Sequence, residues 1–254
     1  MKLGEYIVFK LKDIKHSVFP NAYIRQINDF MKRREEFYRT FISKGDLCFD
    51  VGANRGDVVQ PLLRIGAKVV AVEPQTKCYN YLGWKFGSKI NLVKKGLGEA
   101  EGVKEMHISD SDTISSFSEQ WISKVKEGRF QTHNWNKTES IQMTTLDALI
   151  KQFGTPKFIK IDVEGYEYEV LKGLNSKVPF IAFEYTVPEQ VENTVKCIEK
   201  INSINQQSLW NYTTGISMEP VLQQWISSSE MTTLVRSEKF IATSMGDIYV
   251  KSVG

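Results

Sequence analysis

From residue 46 onward, short apolar runs alternate with stretches of helical length, and no other property of the chain narrows its fold as far. Leu47-Cys48-Phe49 and the runs at 68–72, 90–93, 158–161 and 180–183 read as buried parallel strands, too short for amphipathic helices. Between them, 57–65, 76–86, 166–174 and 188–204 have the length and punctuation of crossover helices. The resulting order, β-α-β-α-β and then α-β-α, predicts an α/β fold with a mostly parallel, doubly wound sheet. Residues 98–142 break this rhythm with a hydroxyl-rich stretch around Ser109 to Ser116, followed by Trp121, Phe130, His133 and Trp135. A segment of that size inside a compact domain is expected to form a lid over the strand ends.

Ahead of the alternation, Ile24, Ile27, Phe30, Met31, Phe37, Tyr38, Phe41 and Ile42 recur at helical spacing, with Gly45 placed to cap the helix. Residues 1–44 are therefore expected to form an N-terminal helical extension and 45–254 the main domain. The first 40 residues carry nine Lys or Arg against five Asp or Glu, while the whole chain is only +3. With no basic stripe and no motif for gripping a flipped base, no nucleic-acid partner is expected. The apolar runs near residue 1 are short and broken by charges, so neither a leader nor an integral membrane segment is expected, and a cytoplasmic location follows. Cys48, Cys78 and Cys197 have neither zinc-ligand spacing nor histidine neighbours and are expected to be reduced, buried thiols.

Ligands of open α/β sheets bind outside the carboxyl ends of the strands. The first strand ends in Asp50-Val51-Gly52-Ala53-Asn54-Arg55-Gly56-Asp57 and the second in Val72-Glu73-Pro74. A carboxylate at Glu73 suits the vicinal hydroxyls of a ribose, while Gly52 and Gly56 permit a tight turn and a close ligand approach. The dinucleotide fingerprint fails, because Asn54 and Asp57 stand where glycines are needed and Asp57 would repel a pyrophosphate. S-adenosylmethionine, a nucleoside carrying a sulfonium and an ammonium in place of phosphate, fits this acidic loop better. A later strand ends in Asp162-Val163-Glu164-Gly165, and Glu184 ends the next. These three carboxylates are candidates to orient a substrate hydroxyl or take its proton. They could equally hold a divalent metal, which is left possible but not predicted.

Asp50-Val51-Gly52-Ala53-Asn54, Val72-Glu73-Pro74, Thr145-Leu146-Asp147 and Lys160-Ile161-Asp162-Val163-Glu164-Gly165-Tyr166-Glu167 with Leu171-Lys172-Gly173 together resemble the FkbM family of S-adenosylmethionine-dependent methyltransferases, over residues 45–175. The resemblance implies a Rossmann-like class I methyltransferase fold. It also implies O-methylation of a hydroxyl, on a sugar, glycan or natural product. It places Asp50, Gly52 and Asn54 at the methionine end of the cofactor, Glu73 at the ribose, Asp162 near the transferred methyl and Ser115 near the cofactor, and Ala53, Gly56, Asp57 and Pro74 are expected to bind the cofactor with them. The chain departs from the family pattern at Asp57 and in its basic N-terminal helix.

His107 and His133, in the expected lid, are further general-base candidates, and His16 is a more remote one. Trp121, Trp135 and Tyr166 either stack on a sugar ring or pack the lid itself. The alternatives to a methyltransferase are an NAD-dependent oxidoreductase and a non-catalytic nucleoside-binding module. Neither the acceptor nor the oligomeric state can be read from the residues.

Overall fold

The computed structural model describes residues 22–253, so His16 lies outside the described residues. The first described element is helix α1 (Ala22–Tyr38). Gly45 does not cap it: the glycine lies in the turn beyond, at φ +90°, with its N–H donating to Gly66 O at 2.9 Å. There follow β1 (Leu47–Val51), α2 (Val59–Ile65), β2 (Lys68–Val72), α3 (Thr76–Phe86) and β3 (Asn91–Val93). Next come β4 (Gly96–Leu97), β5 (Gly102–Ile108), α4 (Glu119–Lys126) and β6 (Lys137–Thr144), then α5 (Leu146–Phe153), β7 (Phe158–Ile161), α6 (Glu167–Lys172) and β8 (Phe180–Thr186). The last described elements are α7 (Val191–Ile204), β9 (Ser208–Tyr212), α8 (Ser228–Val235), α9 (Glu238–Ile241) and β10 (Met245–Ser252).

Seven strands form one sheet in the order β3-β2-β1-β7-β8-β10-β9. The first five run parallel, and β10 lies antiparallel between β8 and β9. This is the strand order of the class I methyltransferase fold. Residues 240–250 supply the end of α9 and most of the interior strand β10, and β9 is the edge on that side.

Period-two alternation splits the core between the two faces of the sheet. Phe49, Val51, Val70, Val72, Ile159, Ile161, Ile181 and Phe183 face one side, against α5, α6 and α7. Cys48, Val69, Ala71, Phe158, Ala182 and Tyr249 face the other, against α2 and α3. Helix α1 covers this second face through Tyr38, which is fully buried, and Phe41 continues the contact, stacked on Phe180 at 4.6 Å between ring centroids. The three cysteines are free and buried. Among the described residues no helix is long and apolar enough to cross a membrane.

The 98–142 segment is a folded unit of its own. Strands β5 and β6 pair antiparallel, and β4 completes a three-stranded sheet of order β4-β6-β5. Ile114, Trp121, Ile122, Val125 and Trp135 form a small core beneath it, where Trp135 Nε1 donates to Ile114 O at 2.7 Å. Trp121 is fully buried and Trp135 nearly so, which decides between the two readings: both pack the lid. Tyr166 packs against Phe117, their ring centroids 5.4 Å apart.

Candidate functional site

At the carboxyl ends of β1, β2 and β7, a cleft of about 270 Å³ opens where the strand order turns back on itself. Asp50, Gly52, Ala53, Asn54, Asp57, Glu73, Pro74, Ser115, Asp162 and Glu164 line it, so ten of the sequence-derived positions share one wall. Gly56 does not face it. That glycine sits behind the loop at φ +81°, where a Cβ would lie 2.4 Å from the Phe86 ring. Gly52, at φ +83°, passes so close to β7 that a Cβ would lie 1.8 Å from Asp162 O.

Glu73 is buried at the end of β2, and each of its oxygens accepts a backbone N–H, from Asn54 and from Gln75, both at 2.8 Å. These bonds fix the carboxylate while leaving lone pairs for two ligand hydroxyls. Burial pushes its pKa up to about 7 against those bonds. Asp50 is 2% exposed and its Oδ2 is enclosed without a partner. Burial raises its pKa to about 7 as well, although Lys160 pulls the other way. A buried acceptor left unpaired costs free energy until a donor arrives.

The lid closes over the Glu73 end. A short 3₁₀ turn at Asp112–Ile114 presents Asp112 O to Asn54 Nδ2 and Gln75 Nε2, each at 3.0 Å. The Asp112 carboxylate meets Arg55 and Lys77, each at 2.7 Å. Against the burial that would raise it, these two cations hold the Asp112 pKa below the usual carboxylate value. Within the lid Ser115 Oγ accepts from Ser109 N at 3.1 Å, and Ser116 Oγ donates to Glu164 O at 2.7 Å, so the lid is also tied to the end of β7. Gly165, at φ +82°, admits the Trp121 ring: a Cβ there would lie 2.3 Å from Trp121 Cγ.

Asp162, Glu164 and Glu184 each offer a carboxylate oxygen, all within 4.8 Å of one another. Burial first, and then mutual repulsion with Asp162, raises the pKa values of Glu164 and Glu184 well above normal. Lys160 enters from the strand below, only 1% exposed, with Nζ 2.7 Å from Asp247 and 3.2 Å from Asp162. Although burial opposes it, Asp162, Asp247 and Glu184 keep this ammonium charged. Glu164 adopts φ +55°, a strained backbone held by the turn into α6. The trio can share protons, and its spacing could also hold a divalent cation.

The two histidines stand elsewhere. His107, on β5, meets Glu119 at 3.3 Å, and His133 meets Asp110 at 2.8 Å; neither lines the cleft. Several residues that do line it escaped the sequence reading, among them Phe30, Arg34, Gln75, Met106, Asp112, Phe117 and Ile216. Two signals were available for the cations Lys160 and Arg34. Lys160 is a charge inside the apolar run Phe158-Ile159-Lys160-Ile161, and Arg34 falls four residues from both Phe30 and Tyr38 in the apolar stripe of α1.

The family model for the methyltransferase FkbM domain matches residues 50–208. No curated protein sequence matches the chain. Among solved structures, the chain is similar to the precorrin-6y C5,15-methyltransferase of Geobacter metallireducens at 8% identity and TM-score 0.45, covering 88% of this chain and 86% of that one. It is similar to a TehB-like SAM-dependent methyltransferase of Corynebacterium glutamicum at 9% identity and TM-score 0.43, over 98% and 99% of the two chains. An rRNA methylase of Streptococcus thermophilus is similar at 11% identity and TM-score 0.41, over 87% and 94%.

Proposed function

Since the chain belongs to the FkbM methyltransferase family and so draws its methyl group from S-adenosylmethionine, we propose that it is an O-methyltransferase acting on a hydroxyl of a sugar, glycan or other natural product. The observation that carries this reading is the carboxylate cluster in which Asp162 and Glu164 line the cleft and Glu184 lies behind them, with proton affinity raised at Glu164 and Glu184. A hydroxyl needs a base as its oxygen forms a bond to carbon, whereas a base adds little for a neutral amine with a free lone pair.

The residues present fit the cofactor. Glu73 offers two anchored oxygens to a ribose diol, Asp50 keeps an unpartnered buried oxygen for a cation, and Gly52 lets the backbone run close along one wall. When bound, S-adenosylmethionine supplies a methyl already activated on a sulfonium. What remains for the protein is alignment and proton removal, and alignment alone contributes rate factors equivalent to effective molarities on the order of 10⁵ M or more. Asp162, held by Lys160, orients the acceptor hydroxyl. Glu164, with Glu184 behind it, takes the proton as the new oxygen–carbon bond forms and the carbon–sulfur bond breaks. Ile216, 68% exposed at the rim, adds an apolar contact for the acceptor.

Incubation with labelled S-adenosylmethionine and a panel of hydroxylated sugars and natural products tests this. Transfer to an oxygen, with Asp162→Asn lowering turnover more than tenfold while S-adenosylhomocysteine affinity stays within a few fold, is the expected result. A methyl group found on nitrogen or carbon, or unchanged turnover in the variant, would count against it.

A further inference from the structure

Two oppositely charged side chains that line the cleft each enclose a polar atom that no hydrogen bond meets. On α1, Arg34 donates from Nη1 to Asp57 O at 3.0 Å and lies over the Phe30 ring at 4.4 Å, yet its Nε is enclosed with no acceptor. On β1, Asp50 Oδ2 is enclosed with no donor. Both residues line the same cleft, and no ion pair joins them. An arginine fork that makes one backbone hydrogen bond and buries another N–H unmet is poised for an anionic acceptor.

Their position along the cleft indicates which anion. Arg34 has Asp57 and Asp247 among its charged neighbours and Glu73 has Asp112 and Glu139, while Asp50 feels both Arg34 and Glu73. In the sheet, β2 lies on one side of β1 and β10 on the other. A ligand whose ribose sits at Glu73 therefore crosses Asp50 before reaching Arg34. At that far end one buried anion and one half-buried cation line the same cleft, the complement of a zwitterionic α-amino acid.

We propose that Arg34 is a cofactor-binding residue, its guanidinium receiving the α-carboxylate of S-adenosylmethionine while Asp50 receives the α-ammonium. This rests on the methyltransferase reading and extends it to a helix outside the residues 50–208 that the family model matches. It also gives the basic leading helix a function: α1 closes the methionine end of the cleft as the lid closes the ribose end. The polar break at Arg34 in the apolar stripe is the residue that does it.

Calorimetric titration separates this arginine's ligand from the rest of the cofactor. Wild type, Arg34→Met and Arg34→Lys are each titrated with S-adenosylhomocysteine and with 5′-methylthioadenosine, which keeps the nucleoside and lacks the amino acid. Arg34→Met is expected to bind S-adenosylhomocysteine at least tenfold more weakly and 5′-methylthioadenosine within twofold of wild type. Arg34→Lys, which keeps the charge and the helix contacts but not the fork, is expected to lie between, and it stands as the test should the Met variant not fold. Equal weakening of both ligands, or undiminished S-adenosylhomocysteine binding in both variants, would overturn the assignment and leave the methyltransferase reading intact. Failure of wild type itself to bind S-adenosylhomocysteine would overturn both.

Discussion

Glu73 and Asp50 show how far a single side chain can be read. Each is a carboxylate at the end of an apolar strand, and each ends up buried in the cleft with a pKa pushed to about 7, one fixed by two N–H donors and one left open. Replacing Glu73 with Ala removes both the carboxylate that lines the cleft and the brace of the Asn54 loop. S-adenosylhomocysteine affinity should fall by tenfold or more, equivalent to about 1.4 kcal/mol, and calorimetry would read it directly. These residues were legible because carboxylates at strand ends have few structural uses. Arg34 and Lys160 were not, because a cation within an apolar run is assigned to solvent until the packing shows what it faces.

Among the elements, the strands and crossover helices followed from periodicity, while the T-L-D segment acquires a reason only from the structure. Thr145 caps α5, its hydroxyl accepting from Ala148 N at 3.0 Å. The Asp147 carboxylate accepts from Asn175 N, Asn175 Nδ2, Ser176 N and Ser176 Oγ at 2.8–3.1 Å, tying the start of α5 to the turn after α6. The motif thus fixes the frame behind the site without touching the cleft. Asp147→Ala should destabilise the fold by about 2 kcal/mol, since hydrogen bonds to a charged group carry ~1.5–3 kcal/mol each at most and water recovers part of that loss. Cofactor affinity at a permissive temperature should not change, and chemical denaturation together with calorimetry would check both halves. The lid was legible as an interruption of the rhythm but not as a second small sheet. Its two tryptophans look the same in sequence whether they face a substrate or, as here, each other.

Across the whole molecule, raised carboxylates set the response to pH. Asp50, Glu73 and Glu167 all move to about 7 from ordinary values of 3.8 or 4.5, with burial the leading cause. Between those limits the folded chain holds more protons than the unfolded chain, so stability falls as pH rises from about 5 to 7, and Glu164 and Glu184, also raised, act in the same direction. The lowered groups, Asp112 and Asp147, lose their stabilising charge only below this window and do not offset the trend. Thermal unfolding of the ligand-free protein should therefore show a midpoint higher at pH 5.5 than at pH 7.5. The stabilisation by S-adenosylhomocysteine should be larger at pH 7.5, where Asp50 is charged and ready for an ammonium. A midpoint that rises across the same interval would contradict the assigned burial of these acids. The sheet order has a further consequence, for synthesis. Because β10 lies between β8 and β9, both of those strands wait for residues 245–252 before they gain their shared neighbour, and Lys160 waits for Asp247. A nascent chain stalled after β9 would carry an open sheet edge and a buried lysine short of a counter-charge, the kind of intermediate that chaperones hold. The half of the sheet built from β8, β10 and β9 should therefore consolidate only after residues 245–252 have emerged from the ribosome, later than the half built from β1, β2 and β3.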